Sequence, residues 1–185
     1  MMTTQHANPN ALAVTATIFE LFDRFGERTY SDGTSLAEHS KASAIAAKLR
    51  GFDRDMIIAA FLHDIGMLLP PGLPSKLGHE VLGADYLQEL GFSKRVVEVV
   101  REHVNAKRYL CTMRMYFFDQ LNEQQQRRLI EQGGPMPERE ARLFEHHPYF
   151  DDLLRLRSLE VAQQANAAEF DGHWMAGLLH QHLSQ

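Results

Sequence analysis

The stretch AAFLHDIGMLLPPG, residues 59–72, places a polar pair at the end of an apolar helix. Asp53 can cap this helix, which carries apolar side chains on every side through its sequence MIIAAFL. A helix that is apolar all round is typically buried, so His63 and Asp64 enter the core with it. Gly66 and the prolines that follow are typical of a helix end. The stretch therefore predicts two metal-binding side chains in the interior of the protein.

The remainder of the chain also follows a helical pattern. Apolar residues recur near a period of 3.6 in the first helix, and capping residues and glycines bound the later ones. The predicted helices cover residues 11–25, 36–49, 54–66, 76–90, 94–104, 123–132, 138–147, 149–166 and a last segment within 171–183, and the stretch around 106–120 is less regular. No stretch alternates as a strand does. We therefore expect an all-α fold.

The length of 185 residues suits one domain with a single core. We expect one domain over 1–185, with a metal core at about 36–160, an N-terminal helix and loop over 11–35, and a C-terminal helix over 171–183.

The formal net charge is −5, and the charges are interspersed, which argues against nucleic-acid or membrane partners. The polar N-terminus lacks a signal-peptide pattern, and the lone Cys111 favours a reducing cytoplasm. Nothing indicates an oligomeric state.

Four of the ten histidines occupy inward faces of predicted helices. His39 and His103 share a face with small or apolar residues at the i, i+3, i+4 spacing, and His79 lies on a face rich in small residues. One inward histidine is usually an ordinary core residue. Four of them beside an inward aspartate are different, because burying each group without a partner costs a few kcal/mol. The pattern favours a metal centre, which accepts neutral imidazole nitrogen and ionised carboxylate oxygen.

The spacing indicates two metal ions. Adjacent residues on a helix diverge by about 100°, so His63 and Asp64 can flank one ion only where the backbone turns. A carboxylate can bridge two ions, which makes Asp64 the candidate bridge. His39 and His63 would then hold one ion, and His79 and His103 the other. A donor set of histidine and carboxylate without cysteine favours iron or manganese over a structural zinc site.

Six stretches in order carry a family resemblance: LAEHS, AAFLHDIG, GHEVLGADYLQELGFS, HVNAKRYL, EQGGPM and RLFE. At these residues the chain resembles the HD-domain superfamily, a helical bundle with a His…His-Asp…Asp metal pattern, from about residue 36 to 160. The additional histidines are similar to its dinuclear branch. Within that branch the likeness is to the mixed-valent di-iron oxygenases that cleave 1-hydroxyphosphonates, among them (2-amino-1-hydroxyethyl)phosphonate dioxygenases and their trimethylamino relatives.

The resemblance implies a set of ligands and catalytic residues. The implied metal ligands are His39, His63, Asp64, His79, His103 and Glu160, and of these Asp64, His79 and His103 are the catalytic residues. Glu160 is a departure, because the family carries an aspartate at this position. Glutamate is also a hard oxygen ligand, one methylene longer, so coordination remains the expectation. Asp151 and Asp152 are poorer candidates, two turns or more away.

The resemblance also implies residues that bind substrate. Lys107, one helical turn beyond His103, and Arg157 would contact the phosphonate, with Gln132 as a weaker candidate. In the loop GERTYSDGTS, Tyr30 and Asp32 would receive the amine end of the substrate, since an aromatic face with a carboxylate suits an ammonium group. In the family this tyrosine covers the vacant iron until substrate arrives. The number of methyl groups on the nitrogen stays open.

The implied reaction is O2-dependent cleavage of a carbon–phosphorus bond with two iron ions (Fe2+/Fe3+) as cofactors. The products would be phosphate and glycine or glycine betaine. Three alternatives remain: a dinuclear phosphohydrolase acting on a nucleotide or phosphoester, an inositol-cleaving oxygenase, which has a longer chain, and a degenerate HD domain that binds without turnover. Met67 stands where phosphohydrolases often carry a lysine, which argues mildly against hydrolysis. It also stands where hydroxyphosphonate oxygenases can carry a histidine, so one phosphonate contact is lost.

Overall fold

The computed structural model describes residues 9–30, 32–70, 77–114, 116–161 and 166–185, without the side chains of Pro9, Glu160 and Val161. Within these ranges it contains the helices α1 (Pro9–Phe25), α2 (Leu36–Leu49), α3 (Arg54–Leu62), α4 (His79–Glu89), α5 (Lys94–Met113), α6 (Phe117–Gln120), α7 (Glu123–Glu131), α8 (Glu138–Phe144), α9 (Phe150–Val161) and α10 (Gly172–Leu183). Two short 3-10 turns lie at Ile65–Met67 and Ala167–Glu169. The described ranges contain no strand, only one isolated bridge between Thr29 and Ser35. The predicted all-α class is confirmed.

Several helices begin where their capping residues predict. The side chain of Ser35 accepts a hydrogen bond from the backbone of Glu38, and the Glu38 side chain returns to Ser35 in a capping box. Asn122 makes the same arrangement with Gln125 at the start of α7. Asp53 and Ser93 cap α3 and α5 through their side chains. These caps satisfy backbone N–H groups that have no partner inside the helix.

Helix ends differ more from the predictions. α3 stops at Leu62 rather than continuing to residue 66, and α9 ends at Val161, beyond which residues 162–165 lie outside the described ranges. α4 begins at His79 instead of residue 76, with Gly78 as its N-cap. A side chain at Gly66 would overlap the carbonyl oxygen of His79. The turn after α3 and the start of α4 therefore lie directly against each other.

The helix α5 is nine residues longer than predicted. It runs to Met113, through part of the stretch at 106–120 that was expected to be irregular. Ala106, Tyr109 and Leu110 continue its buried face, and Lys107 and Arg108 on the other positions are good helix formers. Tertiary burial thus extends a helix whose apolar spacing is weak in the sequence.

The core is built around α3. Every side chain from Met56 to Leu62 is buried, and α3 contacts α2, α5, α9 and α10. α1 closes the bundle against α10, and α4 packs on α5 and on the turn that follows α3. Because α2, α4 and α5 surround the C-terminal end of α3, the side chains that leave this end enter a space lined by all of them. No described helix combines the length and apolar character that crossing a membrane requires.

Candidate metal centre

The backbone changes direction at the end of α3, and this positions His63 and Asp64. His63 is the helical C-cap, whereas Asp64 has φ −103° and ψ 15°, outside helical geometry. The 3-10 turn at Ile65–Met67 follows at once. Two adjacent side chains that would diverge on a continuous helix therefore point into the same space.

Four imidazoles converge on Asp64 in two pairs. The Nε2 atoms of His39 and His63 are 3.0 Å apart, and those of His79 and His103 are 3.2 Å apart. The first pair with Asp64, and the second pair with Asp64, each form a group whose nitrogen and oxygen atoms could hold one ion. Each histidine comes from a different segment: α2, the end of α3, the start of α4, and α5.

The two carboxylate oxygens of Asp64 face different pairs. Oδ2 lies 3.3 Å from Nε2 of His63 and 3.8 Å from Nε2 of His39. Oδ1 lies 2.9 Å from Nε2 of His79 and 3.4 Å from Nε2 of His103. One carboxylate presenting one oxygen to each group is the arrangement that a bridging ligand requires.

Backbone carbonyls orient two of the imidazoles. The Nδ1–H of His63 donates to the carbonyl oxygen of Ala60 at 2.9 Å, and that of His103 donates to Val100 at 2.6 Å. A ring that donates from Nδ1 keeps the lone pair of its neutral form on Nε2, so these bonds aim a ligating nitrogen at the cluster. His79 begins α4 and instead has its Nδ1 3.4 Å from Oε2 of Glu80.

Burial and charge favour the protonation states that metal ligands need. Burial alone would raise the pKa of Asp64, but the adjacent imidazoles of His63, His103 and His79 hold that pKa well below its ordinary range. Burial lowers the pKa of His103 and outweighs the opposing effect of Asp64. An ionised Asp64 beside a neutral His103 is the form that binds a cation.

The spacing of the nitrogens fits metal binding. Two bonds of about 2.1 Å from an ion to histidine nitrogen, at a right angle, place the nitrogens about 3.0 Å apart. The two observed separations are 3.0 and 3.2 Å. The donors of both groups are nitrogen and carboxylate oxygen, which suits iron, manganese or zinc at a reactive site better than a thiolate-bound structural ion.

The cluster opens into a cavity of about 660 Å³. Its wall includes all five residues that the sequence proposes for substrate: Tyr30, Asp32, Lys107, Gln132 and Arg157. Arg157 is buried on α9, and Lys107 belongs to α5. The two cations line the same cavity from neighbouring helices.

Tyr30 bonds directly to the cluster. Its hydroxyl donates to Oδ2 of Asp64, the oxygen that faces His39 and His63, and its ring meets His39 edge-on with centroids 5.1 Å apart. The contact therefore lies on the side of the His39–His63 pair. Asp32 is exposed, and its Oδ1 accepts a hydrogen bond from the backbone of Thr34.

Sequence analysis missed one cation of the cavity. The guanidinium of Arg128 on α7 lies 4.7 Å from the centre of the Tyr30 ring and lines the same wall. Gln124 and Gln125, also on α7, line the cavity as well. No motif marks these residues, because α7 reads as a capped surface helix and its approach to the loop of Tyr30 is a tertiary contact.

The predicted ligand Glu160 cannot be placed, because its side chain lies outside the described residues. Asp152 is engaged elsewhere: both its oxygens accept hydrogen bonds from Arg95, at 2.7 and 3.0 Å. Asp151 is exposed. The structure thus brings together His39, His63, Asp64, His79 and His103, and the proposed sixth ligand stays a prediction.

Comparison with known proteins defines the class. The sequence pattern of the HD domain matches residues 34–146, and the chain belongs to this family. It is 32% identical over 166 residues to a [1-hydroxy-2-(trimethylamino)ethyl]phosphonate dioxygenase (glycine-betaine-forming) of Leisingera caerulea, covering 83% of this chain and 82% of that protein. It is 35% identical over 147 residues to a hydroxymethylphosphonate dioxygenase of Gimesia maris, covering 76% and 73%. An uncharacterised protein of Acanthamoeba polyphaga mimivirus is 36% identical over 149 residues, covering 76% and 68%.

Proposed function

We propose that this protein is a di-iron oxygenase that uses O2 to cleave the carbon–phosphorus bond of a 1-hydroxyphosphonate. The observation that carries the proposal is the position of Asp64, which presents one oxygen to each of two histidine pairs in a cavity that Lys107 and Arg157 also line. The names of two relatives, both phosphonate dioxygenases at 32% and 35% identity, support the same class of reaction.

Two ions would be held by the chain's own residues. His39, His63 and Asp64 would bind one, with Glu160 as its further ligand, and Asp64, His79 and His103 would bind the other. Bound iron in a mixed Fe2+/Fe3+ state would supply the activation of O2 and the oxidation of the substrate carbon. The backbone carbonyls that accept hydrogen bonds from Nδ1 of His63 and His103 hold these imidazoles in the tautomer that binds a metal through Nε2. These two ligands are therefore oriented for metal binding before an ion is bound.

The phosphonate would lie on the side of Lys107 and Arg157. A dianion beside these two charges gains charge-assisted hydrogen bonds, and the planar guanidinium can bind two phosphonate oxygens at once. Gln132, whose Oε1 is buried at the end of α7, lines the same wall and would contact the substrate through its amide. These contacts would place C1 of the substrate over the metal cluster.

The far end of the substrate would meet Tyr30 and Asp32. The candidates are (2-amino-1-hydroxyethyl)phosphonate and its trimethylamino analogue, which would yield glycine and glycine betaine. In each case the C1–H and C–P bonds break, O2 is the oxidant, the carbon becomes a carboxylate and the phosphorus leaves as phosphate. Arg128 already covers one face of Tyr30, so the smaller ammonium beside Asp32 is the better fit of the two.

Phosphate release tests the proposal. Iron-loaded protein is given each of the two nitrogen-bearing compounds and hydroxymethylphosphonate, in air and under anaerobic conditions. We expect release only in air, with the amino compound turned over faster than the trimethylamino compound. Release that continues without O2 would replace the proposal by hydrolysis, and no release from any of the three would overturn the substrate class. Protein carrying Asp64→Asn is the control for contaminating activity.

A further inference from the structure

A largely buried carboxylate lies beside one of the four imidazoles, on the side away from Asp64. Glu80 follows His79 in the first turn of α4, and its Oε2 lies 3.4 Å from Nδ1 of that histidine. The other nitrogen of the same ring, Nε2, lies 2.9 Å from Oδ1 of Asp64. His79 is therefore flanked by two carboxylates, one at each ring nitrogen.

The side chain of Glu80 folds back along the start of α4 instead of extending into solvent. Only 18% of its side-chain surface is exposed. A β-carbon at Gly78, the N-cap of α4, would overlap both carboxylate oxygens of Glu80. The carboxylate thus occupies the space beside the N-cap that the absence of a side chain at Gly78 leaves open.

The oxygen that faces the imidazole has no other use in the described part of the chain. Oε2 of Glu80 is buried there and accepts no hydrogen bond of good geometry. A buried carboxylate oxygen without a donor is costly, so such atoms are normally paired. Nδ1 of His79, at 3.4 Å, is within reach of this oxygen. A small rotation of the ring toward the carboxylate would complete the hydrogen bond.

That hydrogen bond would fix the metal-binding form of His79. An imidazole with its hydrogen on Nδ1 keeps its lone pair on Nε2, the nitrogen that faces Asp64. His63 and His103 reach the same form through backbone carbonyls, which are neutral acceptors. A carboxylate is a stronger acceptor than a carbonyl and makes the ring a more basic ligand. Glu80 therefore gives one ligand of the cluster a charged support.

We propose that Glu80 is a positioning residue of the metal centre: it accepts a hydrogen bond from Nδ1 of His79 and strengthens the binding of the ion that His79 and His103 hold. This rests on the two-ion centre proposed above and not on the reaction. The competing explanation is that Glu80 only stabilises α4, as an acidic residue in the first turn of a helix does. Glu138 is the matched case, because it is exposed in the first turn of α8, after an N-cap that also makes no side-chain hydrogen bond.

Metal titration without O2 tests the proposal. Fe2+ is titrated calorimetrically into the chelator-treated full chain, and His79→Ala, which removes a ligand of one ion only, assigns the two sites. We expect two ions to bind to the unaltered protein. Glu80→Gln, which keeps the shape and loses the charge, should weaken the ion assigned to His79 about tenfold, and Glu80→Ala about 100-fold, as loss of a ligand's partner does. Glu138→Gln should leave both affinities unchanged.

Nitrogen NMR of labelled histidine supplies a readout that a helix-stabilising role would not change. In the Zn2+-loaded protein we expect the ring hydrogen of His79 on Nδ1, with the slow solvent exchange of a hydrogen-bonded group. His79→Ala assigns this resonance by removing it. Glu80→Ala should make the exchange fast, whereas Glu138→Gln should not. Circular dichroism checks that each variant folds.

Three results would overturn the role of Glu80: equal Fe2+ affinities in Glu80→Gln and the unaltered protein, an equal loss in Glu138→Gln, or a His79 ring that does not carry its hydrogen on Nδ1. If a variant at Glu80 does not fold, the resonance of His79 in the unaltered protein decides. Absence of an ion at His79 and His103 would overturn the two-ion centre as well. Since neither measurement uses O2 or turnover, a failure of the phosphate-release assay leaves the result for Glu80 intact.

Discussion

Two clusters of histidine and aspartate lie at opposite ends of α3, and they differ in how their polar atoms are used. At the C-terminal end, His63 and Asp64 meet three further imidazoles. In the first turn, Asp55 meets His182 of α10 and Ser93, the N-cap of α5. Both clusters are largely buried and contain the same types of residue. Their different chemistry must therefore come from geometry.

The cluster of Asp55, His182 and Ser93 satisfies itself. His182 donates from Nδ1 to one oxygen of Asp55 at 3.0 Å, and the Ser93 hydroxyl donates to the other at 3.1 Å. The remaining ring nitrogen, Nε2, accepts from the backbone N–H of Ser93 at 3.0 Å. Both carboxylate oxygens and both ring nitrogens have protein partners. The cluster joins α3, α5 and α10, and its role is structural.

The cluster of Asp64 instead gathers its metal-ligating atoms in one place. Four Nε2 atoms converge within hydrogen-bond distance in two pairs, and the single carboxylate is shared among all of them. The Nδ1–H groups of His63 and His103 donate to backbone carbonyls, so the Nε2 lone pairs of these two rings face the cluster, where a cation would stabilise them. The comparison teaches that a histidine–aspartate cluster indicates a metal when its atoms converge, and a structural tether when each atom is paired in turn.

The largest expected effect comes from Asp64→Asn. An amide presents only one oxygen, so it cannot serve both histidine pairs, and we expect the metal content to fall below two ions per chain. Phosphate release should fall by more than about 100-fold, since loss of even a ligand's partner lowers affinity or activity by about 10- to 100-fold. Elemental analysis and the phosphate assay measure the two effects. A variant that keeps two ions would show that Asp64 is not the bridge.

Replacing Lys107 by methionine should affect substrate but not metal. Loss of one charge-assisted hydrogen bond, about 1.5–3 kcal/mol, lowers kcat/KM by about 10- to 100-fold. Steady-state kinetics measure the ratio, and elemental analysis should find the metal content unchanged. Lys94→Met, at an exposed position of the same helix, is the control. Equal losses in both variants would remove Lys107 from the substrate site.

Asp55→Asn should lower the stability of the protein and leave its metal content and activity unchanged. The amide can no longer accept from both His182 and Ser93, so the free energy of unfolding should fall by about 1–3 kcal/mol. Urea denaturation of the chelated protein measures this loss. The metal content and activity of the folded variant should match those of the unaltered protein. Loss of metal from this variant would show that the two ends of α3 are not independent.

The smallest expected effect is the pH dependence of the stability difference between the unaltered protein and Asp55→Asn. Burial alone would raise the pKa of Asp55, but the hydrogen bonds from His182 and Ser93 and the charge of Arg54 lower it below 3.8 overall. A carboxylate with a lowered pKa contributes its full stability above its unfolded value, and this is lost as the pH falls through the folded value. The stability difference between the unaltered protein and Asp55→Asn should therefore be constant above pH 3.8 and shrink below it. Urea midpoints across this range measure the change, and a difference that grows in acid would contradict it.

The inward faces of α2 and α5 and the end of α3 were predictable because helical spacing tells which side chains share a face. His39, Asp64 and His103 were proposed in this way, and the structure brings them together. The length of α5 was not predictable from the sequence, since the burial of Tyr109 and Leu110 depends on helices distant in the sequence. The contact of Arg128 with Tyr30 was missed for the same reason.

By itself the sequence determined the all-α class, most helix starts and the four histidines that converge on Asp64, because caps and periodicity act within a few residues; the buried His182 was missed. Only the tertiary structure decided which oxygen of Asp64 faces which imidazoles. It also decided that the polar atoms of the Asp55 cluster hydrogen-bond to one another, whereas the ligating atoms of the Asp64 cluster converge on one space. The lining of the metal cavity by both Lys107 of α5 and Arg157 of α9 was decided at the same level. Distances between atoms on separate helices depend on packing, and no local pattern records them.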